Sequence, residues 1–530
     1  MHIIHYLKLG FFLLLEFIKN GLQRCLSQIV ASTRSTSAEH TASEGWKTAE
    51  SLRTYQLTDG DVAMVTIQTS SHDFYVEFQR LLQCSEYFRA LSQSRMREAS
   101  ESLIHLEHVP SHIFYNLLEF SFNHSFNVPA EELGTHIQVS SYLLAEAFLS
   151  ECLSALSDHL SPSNCLSYLN FAKDIVCLEM KSTVLTYVSR NLLELPDVFR
   201  CLSDDEKDDA VRLRTGGERC VCSVRKENLS TWTDPETHQA RFLFALQGSK
   251  GDDSWCPITE LPFSSDKWCF TVVVLFNYLY IIGGYRQRRK RGWEFTMASF
   301  RFNPFTHTWA TTSPLIKHRR HFSAVACDGG IYAVGGWYLD SLVSPDSCTA
   351  MYTAVERYDP WTDSWRFVSS LPLTDFQFTL SLSHDVPLCT SLGQHVYVLG
   401  NIQRTGEVLL LQYNTKLDVW SELRPTLTRA DANIPALYFL GATDRLFVIG
   451  GNNSENVVTS YSLKTQMWGQ VCGVDKVALA GQGTVGDDHI LIPSIEHNAV
   501  VRMDLQTLSL TALPPLPVST RYEAAFYLHF

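Results

Sequence analysis

The hydrophobic rhythm of the chain changes twice. From Trp46 to Leu57 apolar residues recur at helical spacing, then Asp61–Ile67 alternates as a strand and Asp73–Val76 follows as a second. Phe78–Leu91 has helical periodicity, Leu103–Leu106 reads as another strand, and Ser111–Phe120, Ala130–Ser140 and Leu143–Leu160 read as helices. This pattern predicts a small sheet capped by helices. The helical period continues through Asn164–Asp174 and Glu179–Leu195, with Ser161-Pro162-Ser163 as helix stop and restart. Between Ser203 and His238 the chain turns polar. The acid run Asp204–Asp209 there predicts a solvated helix start or loop, and Gly216-Gly217 a break.

Beyond Arg241 the pattern becomes short β-type runs that repeat at intervals of about 50 residues, the mark of a propeller. Four copies are plain. They pair Tyr280–Gly284 with Phe302–Trp309, Tyr332–Gly336 with Tyr358–Trp365, Tyr397–Asn401 with Tyr413–Trp420, and Phe447–Gly451 with Tyr461–Trp468. Two fainter copies flank them: Phe244–Gly248 leading to Trp255, and Ile490–Ser494 leading to Met503–Leu510, where Leu510 holds the tryptophan position. Six blades are therefore expected, with a last strand within Tyr522–Phe530 available to close the ring. Each aliphatic run would be an inner strand buried on both faces, each Gly pair would permit close approach or positive φ, and each Trp would pack between blades.

Length and composition support several folded modules. The 530 residues exceed what one core accommodates, and 45% hydrophobic with 19% charged residues is ordinary for a globular protein. A net charge of -13 opposes non-specific attraction to nucleic acid or an anionic membrane. The 14 cysteines lack the density of a disulfide scaffold, which points to reduced thiols in the cytoplasm or nucleus. Cys220 and Cys222 without a second pair do not make a tetrahedral zinc site, so no metal or cofactor is expected. The apolar run Tyr6–Ile18 has the length of a signal-peptide core, but its only leading charge is Lys8 and Glu16 interrupts it. It is shorter than the about 20 residues of a membrane helix, and an N-terminal extension over residues 1–45 is the preferred reading.

In residues 61–160, Asp61-Val62, Cys84–Leu91 (CSEYFRAL), Met96–Ser102 (MREASES) and Ile104–Val109 (IHLEHV) follow in the order and spacing of a BTB/POZ domain, which the segment resembles. One departure stands out: Glu77 and Phe78 occupy the place of the family's usual His and basic residue, leaving a buried acid at Asp61 without that partner. Asn164-Cys165-Leu166 resembles the opening of a BACK domain, here short, and the C-terminal repeats resemble Kelch repeats. The whole therefore resembles the BTB-Kelch family. The expected layout is multidomain: an α/β BTB domain over 46–160, a BACK-like helical region over 161–225, and an all-β six-bladed Kelch propeller over 240–530.

The resemblance implies a non-catalytic adaptor that binds cullin-3 through its BTB domain and a substrate protein through its propeller. It also implies a homodimer, with Trp46–Leu57 as the first helix of the dimer interface. Met96 and Glu98 match the family's hydrophobic-x-Glu element for the cullin, Met96 filling an apolar pocket and Glu98 facing a helix terminus. The alternative is a dimeric scaffold that cross-links cytoskeletal or other partners.

Two basic segments stand out in the acidic chain: Tyr285–Arg291, with Arg286, Arg288, Arg289 and Arg291, and Lys317–His321, with Arg319 and Arg320. If blade-equivalent loops bring both to one end of the ring, they form a rim for an acidic or phosphorylated substrate. A solvated loop and a nuclear-localisation patch are the rival readings. His318, His321 and Tyr332 are close in sequence but form no recognisable ligand or nucleophile set, and no enzyme is expected.

Overall fold

The structure is a computed structural model that describes residues 52–56, 62–93, 102–226, 241–248, 253–263, 267–268, 270–288, 292–295, 298–319, 321–336, 352–372, 376–377, 387–402, 407–427, 436–451, 455–494, 496–517 and 523–530. The chain divides into two compact units: Met1–Ser189 with Asp197–Ala210, and Arg190–Pro196 with Val211–Phe530. The apolar run Tyr6–Ile18 lies outside the described residues, and no described helix is long and apolar enough to cross a membrane.

The first unit holds a four-stranded sheet of β1 (Leu52–Tyr55), β2 (Met64–Gln68), β3 (Asp73–Glu77) and β4 (Leu103–His105), in the order β1-β3-β2-β4. Alternation decides its buried face: Val65, Ile67, Phe74, Val76 and Ile104 are all in the core. Within the expected helix over Trp46–Leu57, Leu52–Tyr55 is instead the strand β1, running parallel to β3, and residues 46–51 and 57 lie outside the described residues. The cause is tertiary. Arg53 and Tyr55, two apart and so on one face of a strand, both meet the helix α3 described below: the Arg53 guanidinium is 4.6 Å from the Tyr115 ring, and the Tyr55 hydroxyl donates to Glu119 at 2.7 Å. Strand pairing and this anchorage override a local helical period.

The helices are α1 (Phe78–Cys84), α2 (Glu86–Ser92), α3 (Ser111–Asn123), α4 (Leu133–Tyr142), α5 (Glu146–His159), α6 (Cys165–Asp174), α7 (Leu178–Arg190), α8 (Pro196–Cys201) and α9 (Asp204–Leu213). Ser85 caps α2 by accepting from the Phe88 amide, and its hydroxyl donates to the Leu143 carbonyl. The acid run does begin a helix, α9, yet it is not wholly solvated. Glu206 is buried between Lys173 at 3.0 Å and Lys181 at 3.1 Å. Burial would raise its pKa, but Lys173, the Ser203 amide and Lys181 together draw it down to about 2.

The second unit is a six-bladed propeller. Its blades are built from strands at 271–312, 323–368, 376–427, 436–474 and 484–515, and a closing blade combines Glu523–His529 with β5 (Arg219–Arg225), Phe242–Gln247 and Ser254–Glu260. The ring closes as expected at the C-terminus: Glu523–His529 pairs antiparallel with β5 along its full length. Thus β5, placed by sequence in the helical region ending at 225, is the second strand of that blade. The strongest aliphatic run, Tyr278–Ile282, is buried throughout but is also a second strand. The strand nearest the axis is Thr271–Leu275.

Register explains the recurrent tryptophan. Phe302 faces Trp309, Tyr358 faces Trp365, Tyr413 faces Trp420 and Tyr461 faces Trp468 across the two outer strands, and Met503 faces Leu510 in the fifth blade. Each indole N–H then reaches the preceding blade: Trp365 donates to the Ser313 carbonyl and Trp420 to that of Ser369. The Gly pairs divide by role. Gly283, Gly284, Gly335 and Gly336 have positive φ, whereas Gly451 lies within a strand where a Cβ would meet Asn456 at 2.4 Å.

Candidate partner-binding surfaces

In an antiparallel four-stranded blade the turns after the first and third strands lie at one end, and the connection after the second strand lies at the other with the link to the next blade. The described parts of both basic segments, Tyr285–Arg288 and residues 317–319 with 321, belong to the latter end. Tyr285–Arg288 and Gly292–Phe295 form a hairpin between the second and third strands of the 271–312 blade. Lys317–His321 links that blade to the next. The hairpin extends into a three-stranded sheet by pairing with Lys267–Trp268, which precedes the same blade. Arg286 and Arg288 are therefore strand residues, while Arg289, Arg291 and Arg320 lie outside the described residues.

Arg319 does not join a rim. Its side chain and that of Glu356 are both 0% exposed, with the guanidinium 2.5 Å from the carboxylate. The fork also donates to the carbonyls of Gly335 at 2.8 Å and Ala354 at 3.0 Å. Glu356 accepts in addition from the amides of Ile316 and Lys317, so one buried carboxylate gathers the whole connection. Burial pushes the Arg319 pKa down and Glu356 opposes that shift. The arginine is thus a structural clamp, fixed by a partner 37 positions away, and Lys317 and His318 remain exposed beside it.

The opposite end carries a second buried cluster that sequence reasoning missed. Arg214 stacks on Tyr278, 3.8 Å from the ring, and donates to the carbonyls of Phe276, Asn277 and Arg190 and to Asn303. Glu194 accepts from Tyr278 at 2.5 Å and Arg301 at 3.1 Å. The segment Arg190–Pro196 and the arginine just past the α9 helix are in this way tied to the turns of the 271–312 blade. No local motif announces it, because each partner is more than 60 positions from Arg214 or Glu194, Arg190 excepted. Between the two ends runs a cavity of about 440 Å³ lined by the innermost strands of all six blades, among them Val272–Val274, Ser323–Ala326 and Leu388–Ser391.

In the first unit Met96 and Glu98 lie outside the described residues. The helix leading to them, α2, buries Phe88 and leaves Tyr87 half-buried, its ring 5.6 Å from Tyr142, which is in turn 4.9 Å from the His108 ring. Asp61 is likewise outside the described residues. Glu77 is buried in β3 opposite Met64, and Phe78 is half-buried at the start of α1.

The comparisons match these two units. A BTB/POZ domain model covers residues 54–160. Kelch repeat and BTB domain-containing protein 13 of Homo sapiens is 23% identical over 427 residues, 78% of this chain and 83% of that protein. Residues 54–160 thus match the BTB/POZ family, and the chain as a whole is similar to proteins that pair this domain with Kelch repeats. The chain is also similar to Kelch domain-containing protein 7A of Mus musculus, 28% identical over 270 residues, and to Kelch-like protein 36 of Bos taurus, 27% identical over 228 residues. Those matches take in 50% and 41% of this chain but only 30% and 34% of the relatives' own lengths.

Proposed function

We propose that this chain is a BTB-Kelch protein and the substrate-recognition adaptor of a cullin-3 ubiquitin ligase, its BTB domain binding the cullin and its propeller holding a substrate protein. The observation that carries the reading is the union in one chain of a BTB/POZ match over 54–160 with a closed six-bladed propeller. Met96 would enter an apolar pocket on the cullin and Glu98 would meet a helix terminus. The substrate would bind at the propeller end of the Tyr285–Arg288 hairpin, with Arg286, Arg288, Arg289, Arg291 and Arg320 as its proposed contacts. Arg190–Pro196 and Arg214 occupy the turns of the opposite end, which favours this one. The adaptor works by proximity and itself performs no chemistry: tethering raises the substrate's effective concentration at the transfer machinery, and dimerisation through the BTB domain adds avidity.

The test is co-purification of cullin-3 with the full chain and with a Met96→Ala, Glu98→Ala double variant whose fold is checked by circular dichroism. Recovery with the wild type and loss with the variant is the expected result. No recovery with the wild type, where a BTB-Kelch control recovers cullin-3, would overturn the ligase reading in favour of a dimeric scaffold.

A further inference from the structure

We propose that the central cavity of the propeller binds a small apolar monocarboxylate, with Arg219 as the group that receives its carboxylate. The cavity's volume, about 440 Å³, falls within the roughly 300–1,000 Å³ of small-molecule sites. Its wall carries aliphatic side chains from five blades: Val274, Val325, Leu388, Leu440 and Val485 all line it, and each is half-buried. An apolar ligand that displaces water from these groups gains the free energy of burying them. Charge sets the ligand's other end. Among the described residues that line the cavity, Arg219 alone carries a formal charge. One cation at the edge of an otherwise uncharged space selects an anionic head on an apolar body, and a carboxylate matches the planar fork of a guanidinium.

The surroundings of Arg219 hold it in place for this role. It opens β5 at the end of the ring opposite the Tyr285–Arg288 hairpin. Its guanidinium lies 4.0 Å from the centre of the Tyr527 ring, which also lines the cavity. The Tyr527 hydroxyl is 2.5 Å from His489 Nε2, and His489 Nδ1 is 2.5 Å from the Asp488 carboxylate. Gly486 permits this approach, since a Cβ there would meet the His489 ring at 2.6 Å and the Tyr527 hydroxyl at 3.0 Å. The ring on which Arg219 rests is thus fixed. Asp488 is engaged by His489 and, at 3.2 Å, by Arg502. The carboxylate that meets Arg219 is instead that of Asp487, at 2.8 Å and with its side chain 91% exposed. An ion pair so open to water contributes little, so a ligand carboxylate can replace Asp487 there.

Isothermal titration calorimetry of the full chain with octanoate, octanol and octylammonium provides the test. Octanoate is expected to bind, octanol about tenfold more weakly, and octylammonium not at all. Arg219→Gln should bring octanoate down to the level of octanol. Leu440→Trp, which fills the cavity, should abolish binding of both. Should Leu440→Trp fail to fold by circular dichroism, Val325→Phe serves in its place with the same expectation. Absent octanoate binding, or octanol or octylammonium binding as tightly as octanoate, overturns the proposal. So does octanoate affinity left unchanged by Arg219→Gln or by a folded cavity-filling variant.

Discussion

Lys317, His318 and Arg319 sit side by side in sequence, yet two are exposed and the third is fully buried. The difference comes from Glu356, a carboxylate in the next blade that no local pattern connects to them. A buried charge left without its partner is costly, so Arg319→Ala or Glu356→Ala should each destabilise the propeller by about 3–5 kcal/mol in denaturant unfolding, while Lys317→Ala should stay within about 0.5 kcal/mol. Titration is a second residue-scale test. Burial draws the His136 pKa down to about 4, and the neutral ring is held by the Glu132 carbonyl at 2.9 Å and Asn116 at 3.0 Å. Unfolded, this histidine titrates near 6.5, so between those values the unfolded chain holds more protons and stability is lost as pH falls from about 6.5 to about 4. Glu206, drawn to about 2, contributes stability that is present above its unfolded value near 4.5 and is lost as pH falls from there to about 2. Thermal melts of wild type and Glu206→Gln across this range should differ above pH 4.5 and converge toward pH 2.

Among the elements, the propeller strands were the most legible, because tryptophan, glycine and aliphatic positions recur in one register and each has a repeated packing duty. The strand β1 was not, since four residues carry too short a pattern to outweigh the helical spacing around them, and only the neighbours β3 and α3 reveal their role. The repeat also hides differences that register exposes. At two junctions an aspartate in the turn between the outer strands completes a strap: Asp363 accepts from the Ser313 amide and the Tyr358 hydroxyl, and Asp418 from the Ser369 amide and the Tyr413 hydroxyl. In the fourth blade Gln466 stands in this turn, and Tyr461 donates instead to the Arg424 carbonyl. Asp418→Ala should therefore cost about 1–3 kcal/mol by leaving its donors short of an acceptor, and Gln466→Ala less than about 0.5 kcal/mol. Chemical denaturation of the two variants side by side checks the contrast.

For the molecule as a whole, the sequence reading recovered the modules and their order, but it misjudged where the propeller begins. Polar composition between Ser203 and His238 resembles a linker, whereas β5 and Arg214 inside it both belong to the propeller unit. The distinction can be measured with fragments. A propeller fragment starting at Arg190 keeps Glu194, Arg214 and β5; one starting at Arg219 keeps β5 but leaves Tyr278 and Asn303 without the groups that now cover them. One starting at Phe242 loses β5 and leaves Glu523–His529 without the strand it pairs with. Since the ring closes through that strand, and exposed strand edges invite association, the third fragment should aggregate in size-exclusion chromatography while the first runs as a folded species. The second should fold but unfold at lower denaturant than the first, by about 2–4 kcal/mol for the lost buried hydrogen bonds and the lost stacking on Tyr278. Equal stability of the first two fragments would show that Arg214 and Glu194 only decorate the blade. A difference of the expected size would make them part of its fold, and would set the start of the folding unit at Arg190.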